Sequence, residues 1–148
     1  MPQIKIKCPN PECGCVLTVS TEGGLEAKNV ACLHCHNTYP FKKYYPQRSL
    51  IANGRKYQLH FGRQWVGRKA SNNDAEVQIP GDNYMSRRHA IIELSCTATG
   101  IECTYEDHGR NPTEIGGIEL TQEDIIYLNV GDCLVLGRMR MYLAADFE

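Results

Sequence analysis

Two groups of residues in this 148-residue chain have the types and spacing to do chemistry. The first is a run of cysteines. Cys8, Cys13, Cys15, Cys32 and Cys35 fall within the first 35 residues, while Cys96, Cys103 and Cys133 are scattered through apolar segments. Cys8 with Cys13 and Cys32 with Cys35 form two pairs with eighteen residues between them, a spacing that suits two knuckles gripping one zinc ion. Four thiolates close a tetrahedron and leave no position for an activated water, so the expected Zn2+ is structural. It would stand in for the hydrophobic core that about 40 residues cannot build. Cys15 is the alternative to Cys13 as fourth ligand, although the interval from Cys8 to Cys13 is the more usual one, and the same four sulfurs also suit iron. His34 and His36 read as exposed turn residues, and the scattered cysteines as small hydrophobes.

The second group is basic and sits at turns: Val66-Gly67-Arg68-Lys69, Ser86-Arg87-Arg88-His89 and His108-Gly109-Arg110-Asn111-Pro112-Thr113. If these turns meet at one end of a domain, their cations make a small positive concavity suited to one dianionic group rather than to an extended polyanion. A phosphorylated side chain, with about −1.5 to −2 charges and three acceptor oxygens, is such a group. Arg68 would clamp it by charge-assisted hydrogen bonds, and the Ser86 hydroxyl would donate another.

The elements that must position these turns are strands. Period-two alternation recurs at Tyr57, Leu59 and Phe61, at Ala90, Ile92 and Leu94, at Ile101, Cys103 and Tyr105, and at Met139, Met141 and Leu143. Turn signals at Asn53-Gly54, Pro80-Gly81-Asp82, Gly116-Gly117 and Gly131-Asp132 punctuate them in the rhythm of a β-sandwich. Thr121 and Asp124 imitate a helix capping box, but the run that follows is too short before Gly131 to favour a helix. The fold class is therefore all-β. A boundary is expected near residue 45, with 1–45 as a metal-binding unit, 46–148 as the sandwich, and Lys42 to Ser49 as a short connection.

In this order, on turns, VGR, SRRHA, the Asn-x-Thr turn and Gly131-Asp132 before LVLG resemble the forkhead-associated (FHA) domain over roughly residues 50–145. Residues 5–41 resemble a bacterial zinc ribbon. The first resemblance implies an eleven-stranded β-sandwich that binds phosphothreonine peptides through loops at one end. It further implies that Arg68 and Ser86 meet the phosphate, that Arg87 meets the peptide main chain, and that Arg110 reaches the phosphate from the position before Asn111. Asn111 matches the asparagine that holds the peptide backbone, and Gly67 and His89 brace the loop, His89 as an inward residue. Arg88 and Lys69 are either contacts or field-shaping charges. The family usually has Asn-Gly-Thr where this chain has Asn111-Pro112-Thr113; proline biases Asn111 towards extended geometry and removes a backbone donor.

Composition narrows the remaining classes. Residues 1–45 carry five lysines against three glutamates, and the rest eleven Lys plus Arg against fourteen Asp plus Glu. Neither half has the basic footprint of a protein that grips nucleic acid by many phosphates. The alternative function is nucleic-acid or protein binding through the ribbon, with a sandwich that has lost phosphate recognition; nucleic-acid binding would use Lys5, Lys7, Lys28, Lys42 and Lys43 with Tyr39 and Phe41. No apolar run reaches membrane-spanning length and the N-terminus lacks a secretory pattern, so a cytoplasmic location without membrane contact is expected. Paired carboxylates, a nucleophile with its base and an open metal site are not found, so an enzyme is not expected. The expected partner is a threonine-phosphorylated protein.

Overall fold

The computed structural model describes residues 2–147. Four strands and a short return build the N-terminal part. β1 (Gln3–Lys7) lies between β2 (Val16–Ser20) and β5 (Tyr45–Pro46), both antiparallel to it, and β3 (Asn29–Ala31) pairs with β4 (Thr38–Pro40) as a separate hairpin. A single 3-10 turn, Phe41–Lys43, links β4 to β5. The stretch expected as a connection thus contains a strand that pairs back onto β1.

From β6 onward the chain forms two stacked sheets. One has the order β14-β11-β10-β8-β9, built from β8 (Gly62–Arg68), β9 (Val77–Ile79), β10 (Ala90–Thr97), β11 (Gly100–Asp107) and β14 (Ile125–Leu128). The other, β13-β12-β15-β16-β6-β7, contains β6 (Ser49–Ala52), β7 (Arg55–Gln58), β12 (Thr113–Ile115), β13 (Ile118–Leu120), β15 (Cys133–Leu136) and β16 (Met139–Ala144). The alternation of β16 buries Met139, Met141 and Leu143 while exposing Arg140 and Tyr142, and β11 buries Cys103 and Tyr105 on the facing side. These inward residues join Leu50, Val66, Ile79, Ile92, Leu94 and Leu134 in one core, the ordinary way two half-apolar sheets exclude water.

One expected strand is divided. The alternation through Tyr57, Leu59 and Phe61 continues past the end of β7, but residues 59–61 carry the chain from one sheet to the other. Leu59 stays buried at the crossing, which is why its periodicity resembles that of a strand. The capping-box imitation at Thr121 proves to be a turn: the Thr121 N–H and hydroxyl both donate to Asp124 Oδ2, at 2.8 and 3.0 Å, and β14 follows. A second, smaller core of Ile4, Ile6, Leu25, Phe41 and Tyr44 joins the N-terminal part to Cys96, Phe61 and Ile101 of the sandwich.

Candidate functional site

Cys8, Cys13, Cys32 and Cys35 bring their sulfurs within 4.8 Å of one another. The Sγ separations of Cys8 from Cys35 and of Cys13 from Cys32 are 3.8 and 3.7 Å. Sulfurs about 2.3 Å from a central ion define a tetrahedron with edges of about 3.8 Å, so the donor set fits a metal held by four thiolates. Each pair forms a knuckle of the same design: Gly14 N–H donates to Asn10 O and His36 N–H to Cys32 O, with positive φ (61° and 63°) at the residue after the second cysteine. Burial pushes the Cys8 thiol up to about 12, a cost that a cation bound to the thiolate would offset. Cys15 is not in the cluster; its carbonyl accepts the Cys8 N–H at 2.9 Å. His34 and His36 are exposed. Cys96 and Cys103 are buried, and desolvation raises both thiols, Cys103 to about 12, as befits inert core residues.

At the far end of the sandwich, three loops enclose a concavity of about 640 Å³ lined by Arg68, Tyr84, Ser86, Arg87, His108, Arg110 and Asn111, among others. Its floor is set by a close approach. Arg68 N–H donates to Ser86 O at 2.9 Å, and a Cβ on Gly67 would lie 1.7 Å from Arg87 O, so only glycine lets the Ser86 loop lie against β8. Asn73 Nδ2 ties both sides together, donating to Arg68 O and Arg87 O at 2.7 Å each. Ser86 Oγ accepts the Arg110 N–H at 3.0 Å, which leaves its hydroxyl proton free to be donated into the concavity. Arg68 Nε is buried and has no hydrogen-bond partner among the described residues. Arg68 also lines the concavity, so it brings there a guanidinium whose Nε has no acceptor among the described residues.

Behind this wall His89 is fully buried. Ser86 N–H donates to Nδ1 at 3.0 Å, which puts the imidazole proton on Nε2, where it is donated to Thr113 Oγ1 at 2.7 Å. Thr113 in turn donates to Asp107 Oδ1 at 2.7 Å, and Tyr105 OH donates to the same oxygen at 3.0 Å. Burial holds the His89 imidazole below its ordinary value, in keeping with the neutral form. A Cβ on Gly109 would lie 2.3 Å from the His89 ring, so the strap that carries Arg110 and Asn111 rests directly on this histidine.

Asn111 donates its amide to Tyr84 O at 2.7 Å, tying the third loop to the second. Tyr84 is fixed further by its N–H on Asp82 Oδ1 at 3.0 Å and by the Arg138 guanidinium 3.8 Å from its ring centre. Tyr84 is absent from the sequence-based set and His108 enters it only as the first residue of the third turn; an aromatic two residues after a Pro-Gly-Asp turn is the available signal for Tyr84. Arg88 also lines this concavity, while its guanidinium pairs with the exposed Asp74 and lies 5.3 Å over the Trp65 ring. Lys69 lines a different cavity, on the ribbon side. Phe41 is fully buried against Phe61, ring centres 4.7 Å apart, and so is unavailable for stacking on a nucleic-acid base.

The FHA domain family matches residues 60–137, just over half of the chain. The chain belongs to the FHA domain family. Solved FHA domains share its sandwich. The FhaA FHA domain, determined in complex with the intracellular domain of Rv3910, is 25% identical with a TM-score of 0.54, covering 65% of this chain and 98% of its own. An FHA domain studied for phosphothreonine-dependent interactions is 25% identical with a TM-score of 0.55, covering 66% and 94%. The MEK1 FHA domain, in complex with a phosphothreonine peptide of HOP1, is 17% identical with a TM-score of 0.55, covers 66% and 95%, and shares the fold. No curated protein matches the chain. The FHA domain is a binding module, and the expected all-β sandwich of eleven strands behind a four-cysteine unit is what the two sheets and the ribbon form. No helix among the described residues is long and apolar enough to cross a membrane.

Proposed function

We propose that this FHA protein recruits a threonine-phosphorylated partner, with the phosphate seated between Arg68, Ser86 and Arg110 and the peptide main chain running past Arg87 and Asn111. The observation that carries the reading is the buried, unpaired Arg68 Nε beside a Ser86 hydroxyl whose acceptor side is already taken by Arg110 N–H. Both groups are donors without a protein acceptor, and a phosphate dianion supplies acceptors to both. Losing two or three charge-assisted hydrogen bonds, each about 1.5–3 kcal/mol, weakens an unphosphorylated peptide at least about a hundredfold. Asn111 Nδ2 already holds Tyr84 O, so its share in peptide recognition is through its remaining amide atoms and through the shape it gives the rim. The role is one of binding rather than catalysis.

The four-cysteine site is assigned to zinc in a structural role, held by Cys8, Cys13, Cys32 and Cys35. All eight cysteines are free of disulfides, which suits a reducing cytoplasm. The decisive experiment is calorimetry of the full chain against a degenerate phosphothreonine peptide library. Arg68→Ala and Ser86→Ala should each weaken binding by about tenfold or more while leaving the thermal midpoint in place. Parent-like binding by both variants, or binding that survives phosphatase treatment of the peptide, would sink the proposal.

A further inference from the structure

A second concavity is larger than the one enclosed by the three basic turns. It lies between the first cysteine knuckle and the flank of the sandwich, with a volume of about 830 Å³. Lys7, Arg55, Lys56, Lys69 and His60 line it, against Glu76 as the one acidic residue of the lining. Glu76 is already engaged, accepting the Trp65 N–H at 2.6 Å. Lys56 shows what the cations attract: its ammonium lies 3.5 Å from the Asp146 carboxylate, both side chains being about half exposed. This positive cleft belongs to a chain whose net charge is −1, so the field here is local and not a share of a generally basic surface.

The walls are suited to a polypeptide. β7 is the edge of the six-stranded sheet and β9 is the edge of the five-stranded one, and both border the cleft. Edge strands present main-chain donors and acceptors to an added extended chain, while alternate side chains of that chain reach the walls. A nucleic-acid strand finds less here. The Tyr45 ring is taken up by His60 at 5.2 Å between centres, and Tyr57 is packed against the sandwich core. No open stacking platform remains among the lining residues.

We propose that this cleft between ribbon and sandwich is a second binding site, for an extended acidic polypeptide segment, read by Lys7, Arg55, Lys56 and Lys69 independently of phosphate. Lys69 follows Arg68 directly, and the two line different cavities, so one turn at the end of β8 serves both sites. A partner with an acidic stretch beside its phosphothreonine would engage both.

The test uses the full chain and a fluorescein-labelled, unphosphorylated peptide of alternating glutamate and serine, followed by anisotropy at low salt. Saturable binding is expected, weakened about tenfold by the double substitution Arg55→Glu and Lys69→Glu and retained in Arg68→Ala. In the parent, amide resonances of residues 55–58 and of Lys7 should shift on titration, a readout that does not depend on the variant folding. Absence of saturable binding, indifference to the double substitution, or loss in Arg68→Ala alone would overturn the proposal. So would stronger capture of a single-stranded oligonucleotide of equal charge through the same residues.

Discussion

Replacing Thr113 with valine changes one hydroxyl to a methyl at nearly constant volume, in the centre of the hydrogen-bonded brace behind the binding loops. The hydroxyl accepts His89 Nε2–H and donates to Asp107 Oδ1, each at 2.7 Å, and Thr113, His89 and Asp107 are all buried. Valine orphans a buried imidazole donor at about 1–3 kcal/mol and removes a hydrogen bond to a carboxylate at about 1.5–3 kcal/mol. Two features moderate the sum. Tyr105 still donates to Asp107 at 3.0 Å, and His89 Nε2, already 3.9 Å from Asp107 Oδ1, has that oxygen to move towards. The expected loss is therefore about 2–4 kcal/mol. Thr113→Ser keeps the hydroxyl and loses one methyl, worth about 1 kcal/mol. Urea unfolding at fixed zinc concentration measures both. Because His89 Nδ1 holds the Ser86 N–H, the valine variant should also bind a phosphothreonine peptide several-fold more weakly than the serine variant. If valine proves no more destabilising than serine, the hydroxyl is not the hub and the account of how His89 braces Ser86 is wrong.

Acid should act on the same histidine. Burial depresses His89 below 6.5, so the unfolded chain takes up its proton first; the contribution is complete above about pH 6.5 and is lost as pH falls below it. A thermal midpoint that declines from pH 7 to pH 5 in the parent, and less steeply in His89→Asn, checks this. Gly67→Ala places a Cβ 1.7 Å from Arg87 O, a backbone atom that cannot yield alone, and should destabilise by about 3 kcal/mol or more in urea unfolding. One equivalent of zinc, read by atomic absorption, should copurify with the chain and with Cys15→Ser, and be lost from Cys8→Ser. A red-brown chromophore would instead identify iron.

The sandwich was legible because its strands largely obey a simple rule, polar out and apolar in, along Ile92–Thr97 of β10, Glu102–Glu106 of β11 and Met139–Leu143 of β16. Residues 59–61 escaped that rule because a crossing between sheets can bury alternate residues without pairing. The cysteine pairs were legible from spacing alone, since a tetrahedron restricts which sulfurs can meet, and Cys15 points its carbonyl rather than its thiol into the knuckle. The basic turns were legible as a cluster of cations, but not which of them pair within the protein. Arg88 is taken by Asp74, fourteen residues away in sequence, and this pairing depends on how the loop of residues 69–76 folds back. Asn111 is held by Tyr84 O for a similar reason: a proline at 112 fixes the chain direction, but the carbonyl it meets lies on another loop.

The ribbon bears on function through its attachment. It meets the sandwich by Phe41 on Phe61, by Thr21 Oγ1 donating to Ala98 O at 2.8 Å, and by Glu26 Oε1 accepting the Cys96 N–H at 2.8 Å. Two of these contacts fall on the β10–β11 hairpin, whose opposite ends carry His89 and Asp107. The small core at this junction includes Cys8 and Cys32, so the packing that seats the ribbon involves the knuckles themselves. A segment this short has too little apolar surface to close them unaided. On the proposed reading of the four cysteines as a structural metal site, the metal's part in binding is to hold the first knuckle in place as one wall of the proposed basic cleft.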